Sequence, residues 1–401
     1  MSCYKLDTNN VICSPDSLLL AINKKSQNPN PYFGYSLFKT LNKIKKKIGF
    51  FKDWDNIKKY TNTYEYIHTI IPNTKHSVSK IKPISRAFFK LVEICNTLKI
   101  LDPYDVSSIN GFFLAEGPGG FIEAITYMRD NKDDKYYGMT LISEDDGNIP
   151  GWDKMEVLLN NDNIIIETGA DNTGNMLSPD NFEHCYKNYK NSMDIVTADG
   201  GFDFSIDFNQ QEQMASKLIL TEILYAIIMQ KKGGSCIIKM YDTFTKLSVD
   251  IIYFLSSFYN TTYITKPCTS RSANSERYIV CKDFKLEDTS SYYSKFKEII
   301  SYLYENEDVD ISSILELDFP YKFISSFGEI NAIIATQQIE NIQTTLKLIN
   351  NNDKFYDKQS KFKENNIQKC ITWCNKNRIP HNKIINTTNQ FRNVSSKNSF
   401  I

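Results

Sequence analysis

The sequence predicts an α/β fold: a Rossmann-like, doubly wound sheet of seven strands with the last strand antiparallel, plus helical N- and C-terminal appendages. Three observations lead there. Between about residues 81 and 287, short apolar runs alternate with segments of helical periodicity, the pattern of repeated strand–helix–strand units. One of these, Asn110-Gly-Phe-Phe-Leu-Ala-Glu-Gly-Pro-Gly-Gly-Phe121, breaks from an apolar strand into a glycine turn. It resumes with Phe121, Ile122, Ala124, Ile125 and Met128 at helical spacing. Finally, the link from Pro267 to Glu276 is too short for a helical crossover, so the last strand must run back against its neighbour.

Residues 1–80 read as an N-terminal helical appendage. Within it Leu37, Leu41, Ile44 and Ile48 form one apolar stripe, while Lys43, Lys45, Lys46 and Lys47 occupy the other faces. That lysine set is a solvated face first, and a surface for RNA phosphates second. The core unit, residues 81–287, opens on a helix from Ser85, a suitable N-cap, with Phe89 and Val92 facing inward. Strands follow at Asn110–Leu114, Lys135–Ile142, Asn163–Glu167, Met193–Asp199, Ser235–Tyr241, Thr261–Pro267 and Glu276–Cys281. Helical patterns cover about Gln210 to Gln230, closed by Lys231, Lys232 and Gly233, and Lys246 to Phe258. Residues 288–379 form a helical C-terminal region with one long helix over Ile330–Ile349. Residues 380–401, rich in Asn, Ser and Lys, read as a disordered tail.

The charges bound the partners. Lys+Arg and Asp+Glu both number 47, so any attraction for nucleic acid must come from local patches. The 9 cysteines form no C-x-x-C pair, and Cys370 and Cys374 lack a second pair, so no metal site is expected. No apolar run reaches membrane-spanning length, and no membrane partner is expected. Free cysteines and a polar N-terminus suit a reducing, cytosol-like compartment.

Ligands of open α/β sheets bind beyond the carboxyl ends of the strands. The turn Glu116, Gly117, Pro118, Gly119, Gly120 and Phe121 lies at such an end. It matches neither a P-loop nor a full dinucleotide fingerprint, and stands open between a ligand cradle and a plain connection. The polar loop Thr168–Asn175 offers Asp171 and Asn175 to an adenine or a ribose. Asp199, before Gly200-Gly201, reads by itself as a turn residue. Lys239 is harder to explain away. It sits among Ile237, Ile238 and Met240 in a strand with no solvent face, where a lysine needs a carboxylate partner or a crevice. The turned-back last strand starts at Glu276, so topology brings Asp199, Lys239 and Glu276 to one sheet edge. No comparable argument reaches Lys90, one lysine among many on its helix.

Five motifs in order carry a resemblance. Ser85-Arg-Ala-Phe-Phe-Lys90, Glu116-Gly-Pro-Gly-Gly-Phe121, Thr197-Ala-Asp-Gly-Gly201, Cys236-Ile-Ile-Lys-Met240 and Ser270-Arg-Ser-Ala-Asn-Ser-Glu-Arg-Tyr278 resemble the FtsJ/RrmJ-type RNA ribose 2′-O-methyltransferases. Gly138-Met-Thr-Leu141, Ala198-Asp-Gly-Gly-Phe202 and the run Lys266–Val280 are similar to the Adrift-type branch, which acts on the cap-proximal ribose of mRNA. The resemblance spans roughly residues 80–285. It implies S-adenosyl-L-methionine as cofactor, held at the turn 116–121, and a catalytic tetrad of Lys90, Asp199, Lys239 and Glu276. It also implies RNA with a capped 5′ end as partner, and a place beside capping or transcription machinery. Motif I departs from many cap enzymes in having Glu116, and the loop after the third strand is individual.

The implied chemistry needs Lys239 to orient and deprotonate a ribose hydroxyl, which calls for a lysine pKa well below about 10.4. Burial and Lys90 would lower it, while Asp199 and Glu276 oppose. Two other readings remain: a ribosomal or transfer RNA ribose methyltransferase, and a silent fold that binds RNA or cofactor as a partner subunit. An intact tetrad argues against the second.

Overall fold

The structure, a computed structural model, describes residues 1–8, 11–24, 30–142, 151–152, 160–201 and 208–383. Its centre is an eight-stranded sheet in the order β1-β8-β9-β7-β6-β3-β4-β5. The strands are β1 Ser2–Leu6, β3 Asn110–Leu114, β4 Lys135–Met139, β5 Ile164–Ile166, β6 Met193–Ala198, β7 Gln230–Met240, β8 Tyr259–Lys266 and β9 Arg277–Phe284. β3 to β7 run parallel, and β9 lies antiparallel between β7 and β8. The short link after Pro267 therefore turns the chain back as expected.

Alternation along the strands explains the layers. Phe112, Leu114, Val196 and Ile238 point into one core, under helices Pro179–Tyr189, Ser216–Met229, Lys246–Ser257 and Tyr293–Glu305. Phe113, Ile195, Ile237, Tyr278 and Val280 point into the other, under helices Ala87–Leu98 and Gly120–Arg129 and the end of Asn352–Lys376. Both faces are buried, so the strands read as continuous apolar runs.

The terminal regions are less purely helical than expected. Ser2–Leu6 adds an eighth strand, pairing antiparallel with β8 because that edge still has unpaired backbone groups. β2, Leu18–Lys24, pairs antiparallel with β10, Val309–Leu315, joining residues from both ends of the chain. Lys231, Lys232 and Gly233 belong to the start of β7, since the preceding helix already ends at Met229. The helix Tyr35–Ile48 packs Leu41 and Ile44 on Phe244 and on Ala335, Ile339 and Ile342 of the long helix Tyr321–Asn350. Lys45 on that helix is 3 % exposed and does not belong to a solvated face. The start of the expected tail is also docked: Lys80 N donates to Pro380 O at 2.9 Å and Asn382 N to Val78 O at 2.9 Å. Residues 384–401 of that segment, and Phe202 of the motif after Asp199, lie outside the described residues.

Candidate active site

Register sets the site. Leu114, Ala198 and Ile238 lie side by side at the ends of β3, β6 and β7, and Lys239 faces Tyr278 across β7 and β9. Asp199 follows β6 and Glu276 precedes β9, so both reach the same edge. Lys239 shares the face of Ile237, and Glu276 shares that of Tyr278 and Val280. The helix Ala87–Leu98 covers this face and points Lys90 into it.

The four charged side chains form two pairs. Lys90 Nζ lies 2.7 Å from Glu276 Oε2. Lys239 Nζ donates to the Asp199 carbonyl at 2.6 Å and lies 3.3 Å from its Oδ1. Tyr278 joins the pairs: its hydroxyl donates to Asp199 Oδ1 at 2.7 Å, and its ring centre is 5.9 Å from Lys90 Nζ. Glu276 Oε1 is buried without a well-formed hydrogen bond among the described residues.

Electrostatics here differ from the sequence expectation for Lys239. Burial lowers its pKa, but Asp199, Tyr241 and Glu276 outweigh burial and hold it above the ordinary lysine value. Without ligands it is an ammonium. Burial raises the Glu276 pKa, yet Lys90 and Lys239 together bring it below the usual carboxylate range.

The glycine turn is built around Glu116. Gly119 has φ 104°, a conformation that side chains rarely adopt. Glu116 Oε1 accepts from the N–H groups of Phe121 at 2.6 Å and Ile122 at 3.1 Å. The carboxyl thus takes the helix N-terminus, where a phosphate would otherwise bind. Its Oε2 is buried without a partner among the described residues, and burial pushes the carboxyl well above its ordinary range. Such a turn, beside Asp199, fits a cationic ligand better than a phosphate. Gly117 and Pro118 are half-buried at this turn, and Gly120 and Phe121 are buried.

Asp171 and Asn175 hold their own loop. Asp171 Oδ1 accepts from Thr173 N at 2.9 Å and Asn181 Nδ2 at 2.8 Å, and Asn175 Oδ1 accepts from Leu177 N at 3.0 Å. Desolvation raises the Asp171 pKa, but the hydroxyl and amide of Thr173 with Asn181 and Ser178 together outweigh it and lower it to about 2.

Three features were not foreseen. Tyr278 was legible only as part of its motif. Glu222, on the helix Ser216–Met229, lies so close to Gly200 that any side chain there would overlap its Oε1. Neither of its carboxyl oxygens makes a well-formed hydrogen bond among the described residues, although the Gly200 amide is adjacent. A lone carboxylate in an apolar helix was the available signal. The third is a cavity of about 560 Å³ beyond the end of β7, lined by Asn23, Asn30, Glu212, Gln213, Lys246 and Asp310 among others. Glu212 Oε1 accepts from Thr245 N and Oγ1, each at 2.8 Å, but its buried Oε2 has no partner among the described residues.

A sequence profile described as FtsJ-like methyltransferase matches residues 83–284, half of the chain. The chain is similar to cap-specific mRNA (nucleoside-2′-O-)-methyltransferase 2 of Danio rerio, with 29% identity over 306 residues, 70% of this chain and 40% of the relative. The protein of the same name from Drosophila melanogaster is 25% identical over 359 residues, 83% of this chain and 50% of the relative. Cap-specific mRNA (nucleoside-2′-O-)-methyltransferase 1 of Leishmania braziliensis is 31% identical over 261 residues, 62% of each chain. The chain therefore spans about half the length of the curated relatives it matches. The profile covers every strand from β3 to β9 together with Lys90, Asp199, Lys239 and Glu276, and the chain belongs to the FtsJ-like methyltransferase family.

Proposed function

We propose that this protein transfers a methyl group from S-adenosyl-L-methionine to the ribose 2′-hydroxyl of the cap-proximal nucleotide of mRNA. The observation that carries the reading is Lys239, an ammonium held by Asp199 at the end of a central strand, one strand away from the Lys90–Glu276 pair. S-adenosyl-L-methionine, when bound, supplies an electrophilic methyl on a cationic sulfur. Glu116, Gly117, Pro118, Gly119, Gly120 and Phe121 would hold its polar end, and Asp171 and Asn175 its adenosine. Lys239 donates a hydrogen bond that orients the 2′-oxygen and, after releasing one proton to solvent, takes up the hydroxyl proton as a neutral amine. Asp199 and Tyr278 fix the Lys239 ammonium, and Lys90 and Glu276 fix the ribose from the other side. Most of the rate then comes from positioning.

The cap assignment is supported by the cavity at Glu212. Burial pushes the Glu212 carboxyl above its ordinary range, a penalty that a cationic base would relieve. A methylated cap guanine is such a base, and amides around the carboxylate can read its edge. Among the aromatics of the N-terminal region, Tyr32 is the one beside this cavity: its ring centre lies 5.8 Å from Nζ of Lys246, which lines it. Phe33 is packed on Phe244 and Phe327, and Tyr35 is exposed.

The test is labelled methyl transfer to matched short RNAs with and without a cap, followed by nuclease mapping. Label on the first transcribed nucleotide of the capped RNA is expected. Equal transfer to both RNAs, or label at an internal site, overturns the cap assignment, and transfer to neither overturns the enzyme.

A further inference from the structure

The loop that carries Glu276 is held from outside the matched span. Lys45, on the helix Tyr35–Ile48, pairs with Asp242 and donates to Ser275 Oγ at 2.7 Å. Ser275 Oγ donates in turn to Asp242 Oδ2 at 3.1 Å. Arg277, 1 % exposed, reaches Asp242 Oδ1 at 3.4 Å. Its Nη1 donates to Thr243 Oγ1 at 3.2 Å and to Asn331 Oδ1 at 2.7 Å. Asn331 belongs to the long helix Tyr321–Asn350, as does Gln338, which donates to Ala273 O at 3.0 Å. From the sheet side, Lys266 Nζ donates to Glu276 O at 2.7 Å. Ser275 and Arg277 are the two neighbours of Glu276, and Asp242 stands three residues beyond Lys239.

Stability alone does not account for this arrangement. Burial opposes the Asp242 carboxylate, but Lys45 and Arg277 bring its pKa below the usual range, and all three side chains are buried. Apolar residues of the same volume usually do as well or better for stability. What charged, directional contacts add is orientation. Two helices, one from each end of the chain, converge on the peptide that aims Glu276.

We propose that Lys45 and Asn331 are positioning residues for methyl transfer, acting through Asp242 and Arg277 to hold the Ser275–Arg277 peptide and thus the Glu276 carboxylate against Lys90. The proposal rests on the function proposed above. It extends the working site beyond residues 83–284, the span the family profile matches.

The experiment uses the full chain and three variants: Lys45→Met, Asn331→Leu and Asn331→Asp. Asn331→Asp keeps an acceptor for Arg277 and removes an Nδ2 that is buried without a partner among the described residues. Two readouts are taken on folded protein: the acetylation rate of Lys90, by peptide mass spectrometry, and the methyl-transfer kinetics on capped RNA, with kcat and the KM for the cofactor. Lys45→Met and Asn331→Leu are expected to raise Lys90 reactivity severalfold and to lower kcat about tenfold or more at unchanged KM for the cofactor. Asn331→Asp is expected to stay near wild type in both. Unchanged Lys90 reactivity in Lys45→Met and Asn331→Leu overturns the proposal, as does an Asn331→Asp variant that falls as far as Asn331→Leu. A wild-type chain that methylates no RNA would sink the proposed function, and Lys90 labelling would still decide the positioning.

Discussion

The Tyr278 hydroxyl donates to Asp199 Oδ1 at 2.7 Å while the Tyr278 ring lies 5.9 Å from the Lys90 ammonium. One side chain thus spans the Lys239–Asp199 pair and the Lys90–Glu276 pair. A hydrogen bond to a charged group is worth about 1.5–3 kcal/mol. Tyr278→Phe is therefore expected to lower kcat roughly ten- to a hundredfold, with cofactor affinity nearly unchanged and the melting temperature lower by only about a few degrees. A kcat equal to wild type would show that Asp199 needs no such support.

Lys239→Ala should remove methyl transfer while leaving the fold and cofactor binding. Lys239→Arg should fail as well, because a guanidinium does not give up its proton. The environment of Lys239 adds a prediction about pH. Asp199, Tyr241 and Glu276 overcome burial and hold the ammonium, so the neutral amine is scarce in the free enzyme. If Lys239 must be neutral to react, log kcat/KM rises with unit slope to about pH 9 without levelling. A plateau near neutral pH would take the role of base away from Lys239.

Glu222 makes stability depend on pH. Burial, opposed by Lys239 and helped by Asp199, pushes its carboxyl from 4.5 up to about 8. Between those values the folded chain keeps a proton that the unfolded chain releases. The stabilisation is full below about pH 4.5 and is lost as pH rises through about 8. Glu222→Gln should therefore melt higher than wild type near pH 8, with a flatter profile below it. Burial lowers the Lys266 pKa to about 7, which acts in the opposite sense above that pH, but equally in both proteins. Parallel melting profiles would mean that Glu222 is not held neutral.

Removing residues 380–401 should lower the melting temperature by roughly 2–4 °C or more. The cut takes away the Lys80–Pro380 and Asn382–Val78 backbone bonds and the Asn382 side-chain bonds to Ser77 O and Ser79 O. Each is worth ~1 kcal/mol. An unchanged melting curve would mean that these contacts add nothing beyond what water supplies.

Much of this molecule is decided locally, and so is readable along the chain. Apolar runs, helical periods and the turn at Gly119 depend on residues within a few positions of each other. They establish the strands β3 to β9, the glycine turn after β3 and the reversal before β9. The short Pro267–Glu276 link even brings Glu276 to the edge that holds Asp199 and Lys239, because chain length limits where a strand can go. Lys90 and Lys45 are different. Each is a lysine on an amphipathic helix, and helical spacing assigns both to water. Their burial depends on which face of the sheet, or which loop, each helix packs against, and on a carboxylate far away in sequence: Glu276 for Lys90 and Asp242 for Lys45. The same holds for β1, whose five residues become a strand because β8 offers an open edge. Hydrophobic period is a property of neighbours in sequence, whereas charge pairing and edge pairing are properties of neighbours in space, and only the tertiary structure brings those together.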